Sequence, residues 1–234
     1  MTGVIINCIT VIIGSFLGIL FHKNIPKKLT DGIMLGIGLC TVYIGIDGAL
    51  SGNNTLVLIL SMTTGAIIGY SLDIDGWINR LSSILTSRFS GGDDASKATQ
   101  GFITASLIFC VGAMTIVGSI QAGVNDDNTL LITKSILDLI SSLALAATFG
   151  FGVMLSAVFV FVFQTSLVLL SGLIEPYLTT VLQNEMICAG SVIIIGLGLN
   201  ILGVTKIKVA NYLPAMIIAP LITPLLNKLM EFLG

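Results

Sequence analysis

Only 9% of the 234 residues are charged, against a hydrophobic share of 55%, and the formal net charge is -2. The mean hydropathy is +1.05. Soluble domains carry about 25% charged residues, so an ordinary soluble domain is excluded, and the absence of a basic tract argues against nucleic acid as a partner. What remains is an integral membrane protein whose first partner is the lipid bilayer.

The expected fold class is all-α, a polytopic membrane helix bundle of about eight spans forming one integral domain over residues 1–234. Apolar runs long enough to cross a bilayer are read at Val4 to Phe21, Gly32 to Leu50 and Thr55 to Tyr70. Leu72 to Phe89 spaces Trp77, Ile78, Leu81, Ile84, Leu85 and Phe89 at helical intervals, which predicts an amphipathic helix in the interface. With the polar SGGDDASK run it makes an interfacial segment over residues 73–98. Spans four and five, Gly101 to Ile120 and Leu130 to Thr148, flank a polar turn at Asn125 to Asn128 and define a central hairpin over 99–150. Phe151 to Ile174, Met186 to Val204 and Tyr212 to Met230 complete the set. Pro214, Pro220 and Pro224 in the last span predict either a kink or a broken helix beside a wet cavity.

Lys23, Lys27 and Lys28 follow span one, Arg80, Arg88 and Lys97 follow span three, and Lys206 and Lys208 follow span seven. All three basic loops fall on one side if the N-terminus is outside, the multi-pass arrangement expected in a bacterial plasma (inner) membrane. Cys8, Cys40, Cys110 and Cys188 lie within apolar segments without short spacing, so neither a zinc site nor a disulfide framework is indicated.

Residues 1–72 and 151–234 can be laid over each other as a repeat. Gly3-Val4 falls on Gly152-Val153, Gly45 to Asp47 on Gly198 to Asn200, and Ile67 to Gly69 on Ile217 to Ala219. With span one starting outside and span six inside, the repeats would be inverted, an architecture used by many secondary transporters. Gly14/Gly18, Gly32/Gly36 and Gly65/Gly69 have the G-x-x-x-G spacing, read either as packing within the bundle or as a homodimer seam.

The chemistry concentrates in the hairpin. Thr115, Ser119, Gln121, Lys134, Ser135 and Asp138 sit within or beside two apolar helices, and Asp47 and Asn200 are pseudo-symmetric polar positions of the repeats. Lys134 and Asp138 are four apart, on one helical face. Two readings follow: a satisfied ion pair that locks helices, or a solute or ion site with Asp138 as its main ionisable group. Counting from Leu130 at about 1.5 Å per residue puts Asp138 about 12 Å and Lys134 about 6 Å into the membrane.

The stretches FCVGAMTIVGS, KSILD and FGFGV of the centre, with the N-terminal GVIINCITVIIGSFLG and the NYLPAMIIAP of the last span, resemble the YqgA-like bacterial membrane proteins, domain-of-unknown-function family 554. The resemblance covers nearly the whole chain and implies a multi-span bacterial plasma-membrane protein. It carries no functional residues with it. An enzyme is not expected: His22 is the only histidine, and neither H-E-x-x-H, G-x-S-x-G nor a phosphate-cradling P-loop is present. No cofactor is called for. A secondary transporter of a small solute or ion is the leading reading, with a structural or assembly scaffold and an oligomeric channel as alternatives.

Overall fold

The computed structural model describes residues 1–22, 27–87, 93–111, 113–174 and 179–233. Every regular element among these residues is helical: α1 (Thr2–His22), α2 (Lys27–Ala49), α3 (Thr55–Leu72), α4 (Ile74–Ser87), α5 (Asp93–Cys110), α6 (Ala113–Val124), α7 (Thr129–Phe149), α8 (Phe151–Ile174), α9 (Thr180–Ile201), a 3-10 turn (Val209–Tyr212) and α10 (Pro214–Leu233). Among the described residues seven helical stretches are long and apolar enough to cross a membrane, and the bent pair α5 and α6 passes the same test only when taken together, as a broken span or a re-entrant loop. Side chains such as Ile5, Ile9, Phe16, Leu39, Tyr43, Val162 and Leu169 point outward. An apolar exterior of this kind suits lipid and not water.

Three boundaries differ from the sequence reading. Span four, expected as one helix, is broken between α5 and α6 with a bend of 59°. The break leaves the Phe109 carbonyl, which Thr115 Oγ takes at 2.9 Å. The last span, where proline suggested either a kink or a break, is not broken: it runs helically from Pro214 with Pro220 and Pro224 inside it. Pro214 occupies the first helical position, where its missing donor is not needed, and Ala210 O is taken by Leu213 N at 3.2 Å. The polar linker is shorter than expected because α5 begins at Asp93. The amphipathic helix is observed as α4, set off from α3 by Asp73 in the left-handed region at φ 48°, with Trp77 exposed. Its expected end at Phe89, together with Arg88 and Lys23, lies outside the described residues.

The chain divides into two compact units. Unit 1 (Met1–Ile37 and Ile78–Glu175) holds α1, the first half of α2, most of α4, and α5 to α8. Here α1 runs along α7, with Gly14 against Ser142 and the Leu139 backbone and Gly18 against Leu143 and Ala146. The FGFGV motif makes the α7–α8 corner. Gly150 has φ 70°, which favours a residue without Cβ, and Gly152 meets the Ala98 backbone so closely that no side chain fits. At the other end Gly123 packs on Val168 and Ser171. Gly3 N donates to Asn128 Oδ1 at 2.8 Å, so the start of α1 is pinned to the α6–α7 turn.

Unit 2 (Gly38–Trp77 and Pro176–Gly234) holds the rest of α2, α3, α9, the 3-10 turn and α10. Its core includes Val57, Ala189, Ala215, Ala219 and Leu226. Gly65 packs on Ala215 and Gly69 on the Asn211 backbone. Small residues thus let backbones approach in both units, as dispersion-driven packing in lipid requires.

A buried ion pair beside a broken span

Helix α7 turns one polar face inward, burying Lys134, Ser135, Asp138 and Ser142. Lys134 Nζ and Asp138 Oδ2 form an ion pair along this helix, each residue only 6% exposed. Ser135 donates to Leu131 O at 2.7 Å and Ser142 to Leu139 O at 3.0 Å, so these hydroxyls satisfy their own helix. The pair's surroundings come from other elements. The Lys134 ammonium lies 5.6 Å from the centre of the Phe109 ring, within cation-π range, and Phe109 sits at the end of α5. Asn7 of α1 stands beside the Asp138 carboxylate, within reach of a side-chain hydrogen bond to it, although among the described residues neither amide atom has a partner at full hydrogen-bond geometry. Cys8 and Cys110 lie close enough to feel both charges.

The break in span four falls at this level. Gly118 of α6 packs on Leu130 and Leu131, so α6 runs against the first turn of α7. An α-helix leaves its first N–H groups without intrahelical acceptors and carries a positive end there. Thr115 bridges the break through Phe109 O. Ser119, one turn further on, is fully buried with no protein partner for its hydroxyl.

Lys134, Asp138, Ser135, Thr115 and Ser119 therefore belong to one region of unit 1. Gln121 does not extend it: the residue is half-buried at the end of α6, where its carbonyl accepts from Asn125 N at 2.9 Å and Asp127 N at 3.3 Å. Asp47 and Asn200 lie in unit 2. Asp47 is exposed, and Asn200 staples the loop after α9, accepting from Ile207 N at 2.8 Å and Thr205 Oγ1 at 2.7 Å and donating to Ile207 O at 2.7 Å.

Sequence reasoning missed Asn7, Phe109 and Gln164. Gln164 of α8 is fully buried with both amide atoms unpaired, and Ser15, Thr104, Ser106 and Thr165 of the same unit also lack partners. Leaving a buried polar group unmade costs about 1–3 kcal/mol. The available signal was one amide standing alone in an apolar run, as in spans one and six.

Unit 2 buries polar groups for a different end. Glu185 Oε1 accepts from Asn53 N at 2.8 Å and Asn54 N at 2.9 Å, and Asn54 Oδ1 accepts from Leu56 N at 2.9 Å, so together they cap α3. Asn211 Oδ1 accepts from Asp75 N at 2.7 Å at the start of α4. At the exposed α6–α7 turn, Asp127 Oδ1 accepts from Thr129 N at 3.0 Å, and this bond with the Thr129 hydroxyl holds the carboxyl below its usual range.

Fold and site together define a polytopic helical membrane protein with a charge pair buried inside one of its units. The chain belongs to the protein family of unknown function DUF554, whose sequence profile matches residues 2–224. It is similar to the uncharacterized membrane protein YdfK of Bacillus subtilis, 33% identical with 95% of each chain covered. It also resembles the uncharacterized protein YqgA of Escherichia coli, 26% identical over 93% of this chain and 94% of that one. No solved structure matches the chain.

Proposed function

We propose that this protein is a secondary transporter of a small solute, built on inverted repeats, with its site at the Lys134–Asp138 pair. The observation that carries the reading is the pair's position: two charges inside an apolar bundle, set beside a discontinuous span. Ionisable groups in such places face substrate or ion pathways, and half-helix ends at membrane depth serve as binding elements in transporters.

Repeat contacts support the architecture. The register that lays Gly3-Val4 on Gly152-Val153 also lays Cys8 on Ala157, and in unit 1 these two touch, Cys8 Sγ donating to Ala157 O at 3.6 Å. In unit 2 the register of α3 on α10 lays Gly65 on Ala215, and these two pack directly. The register of Gly45 to Asp47 on Gly198 to Asn200 lays Val42 on Ile195 and Gly38 on Ser191. Gly45 packs on Ile195 and the Ser191 backbone, while Gly198 packs on Val42 and the Gly38 backbone. Reciprocal contacts of this kind are the mark of a two-fold relation.

The protein would sit in the bacterial plasma membrane with the N-terminus outside, which places the basic loops in the cytoplasm. Two of the three G-x-x-x-G faces are used within the protomer, whereas among the described residues Gly32 and Gly36 meet nothing within 4 Å. That free face supports a homodimer through α2. The test of function is flux into proteoliposomes from a panel of amino acids, sugars and monovalent ions. Asp138→Asn keeps the volume and should abolish flux while the protein still folds; undiminished flux would remove Asp138 from the mechanism.

A further inference from the structure

We infer that the solute is a zwitterion, a small molecule carrying both an ammonium and a carboxylate group, as in a neutral α-amino acid. This rests on the transporter reading above and follows from charge balance at the pair. Lys134 and Asp138 compensate each other within α7, and a lone charge at this depth is costly. A cation arriving alone at Asp138 would release Lys134 uncompensated. An anion arriving alone at Lys134 would strand Asp138. A zwitterion inserts between them and gives each charge a new partner, so the site stays neutral before and after.

The neighbouring groups match the two ends. An ammonium brings three donors. The two Asp138 oxygens and Asn7 Oδ1, which has no protein donor, offer three acceptors. A carboxylate accepts from Lys134 Nζ, which already faces the Phe109 ring at the end of α5, and the N-terminus of α6, the next helix after the break in span four, is an end that favours anions. The four-carbon stem of Lys134 lets its ammonium withdraw from Asp138 without moving α7. Ser119 of α6 is a further buried hydroxyl of the same unit without a partner among the described residues.

The experiment uses the purified full-length chain in proteoliposomes, with three radiolabelled probes: a mixture of neutral α-amino acids, potassium chloride, and a monocarboxylic acid without an amine under an imposed pH gradient. Transported charge is recorded on a supported membrane. Uptake of the neutral amino acids should exceed that of the other probes at least tenfold and carry no current, and Asn7→Leu should reduce it. Electrogenic cation flux, or proton-driven uptake of the amine-free acid, would overturn the zwitterion while leaving a transporter. Absence of flux for all three would overturn the zwitterion, and absence of flux for the sugars and other monovalent ions of the wider panel as well would overturn the transporter.

Discussion

Both units bury polar residues in an apolar bundle, but the two sets bond to different things. In unit 2 the buried Glu185 and Asn211 and the half-buried Asn200 are tied to backbone groups at helix ends and loops, with Glu185 Oε2 and Asn211 Nδ2 left over among the described residues. Unit 1 holds the Lys134–Asp138 pair with Asn7 beside it, and several of its buried polar groups, Ser119 and Gln164 among them, have no hydrogen-bond partner among the described residues. A polar group committed to a backbone cap holds the fold, whereas one kept without a partner costs stability and points to a ligand. Burial alone does not separate the two cases.

The sharpest way to break this comparison is to strand one charge of the pair. Lys134→Met leaves the deeper Asp138 alone and should cost about 3–5 kcal/mol, the penalty for opening a buried pair from one side. Asp138→Asn should cost less, because Lys134 lies nearer the membrane surface and can extend its stem toward water. Thermal unfolding in detergent measures both, and equal losses would contradict the depth assignment.

In unit 2, Glu185→Ala removes charge-assisted bonds to Asn53 N and Asn54 N. It should lower stability by about 1.5–3 kcal/mol while flux per folded molecule stays unchanged. The mirror experiment in unit 1 is Asn7→Leu, which removes a buried amide beside Asp138 that has no partner at full hydrogen-bond geometry among the described residues. Stability should hold or rise by up to about 1 kcal/mol, and flux should fall. Opposite outcomes for these two variants would erase the distinction between the units.

The smallest effect belongs to the exposed turn. The bond from Thr129 N lowers the Asp127 carboxyl, so its stabilising contribution is present above the unfolded value of about 3.9 and is lost as pH falls through the lower folded value. A carbon NMR titration of Asp127 should show a midpoint below that of a free aspartate, and Asp127→Asn should leave flux intact.

Much of this was legible in the sequence. Hydrophobic run length located the spans, because crossing lipid demands it, and the i, i+4 spacing of Lys134 and Asp138 put both on one face. The break in span four was not legible: FCVGAMTIVGS reads as one apolar run, and what supports the interruption is the tertiary bond from Thr115 to Phe109 O. The prolines drew attention to the wrong span, since a helix can begin at Pro214 and tolerate two more in its interior when neighbouring elements compensate. Asn7 was passed over because a contact between α1 and α7 cannot be read from either run alone. Asp47 and Asn200 were raised by the repeat register, which says where residues correspond and not what they bond.

The most direct test is flux through the double variant Lys134→Met/Asp138→Met, which removes both charges at similar volume. Replacing a buried pair by apolar groups is neutral or stabilising, so the variant should unfold at or above the temperature of the unmodified protein. The transport account predicts that this well-folded variant moves no solute from the panel of amino acids, sugars and monovalent ions, whereas flux equal to that of the unmodified protein would mean that the pair only locks the bundle.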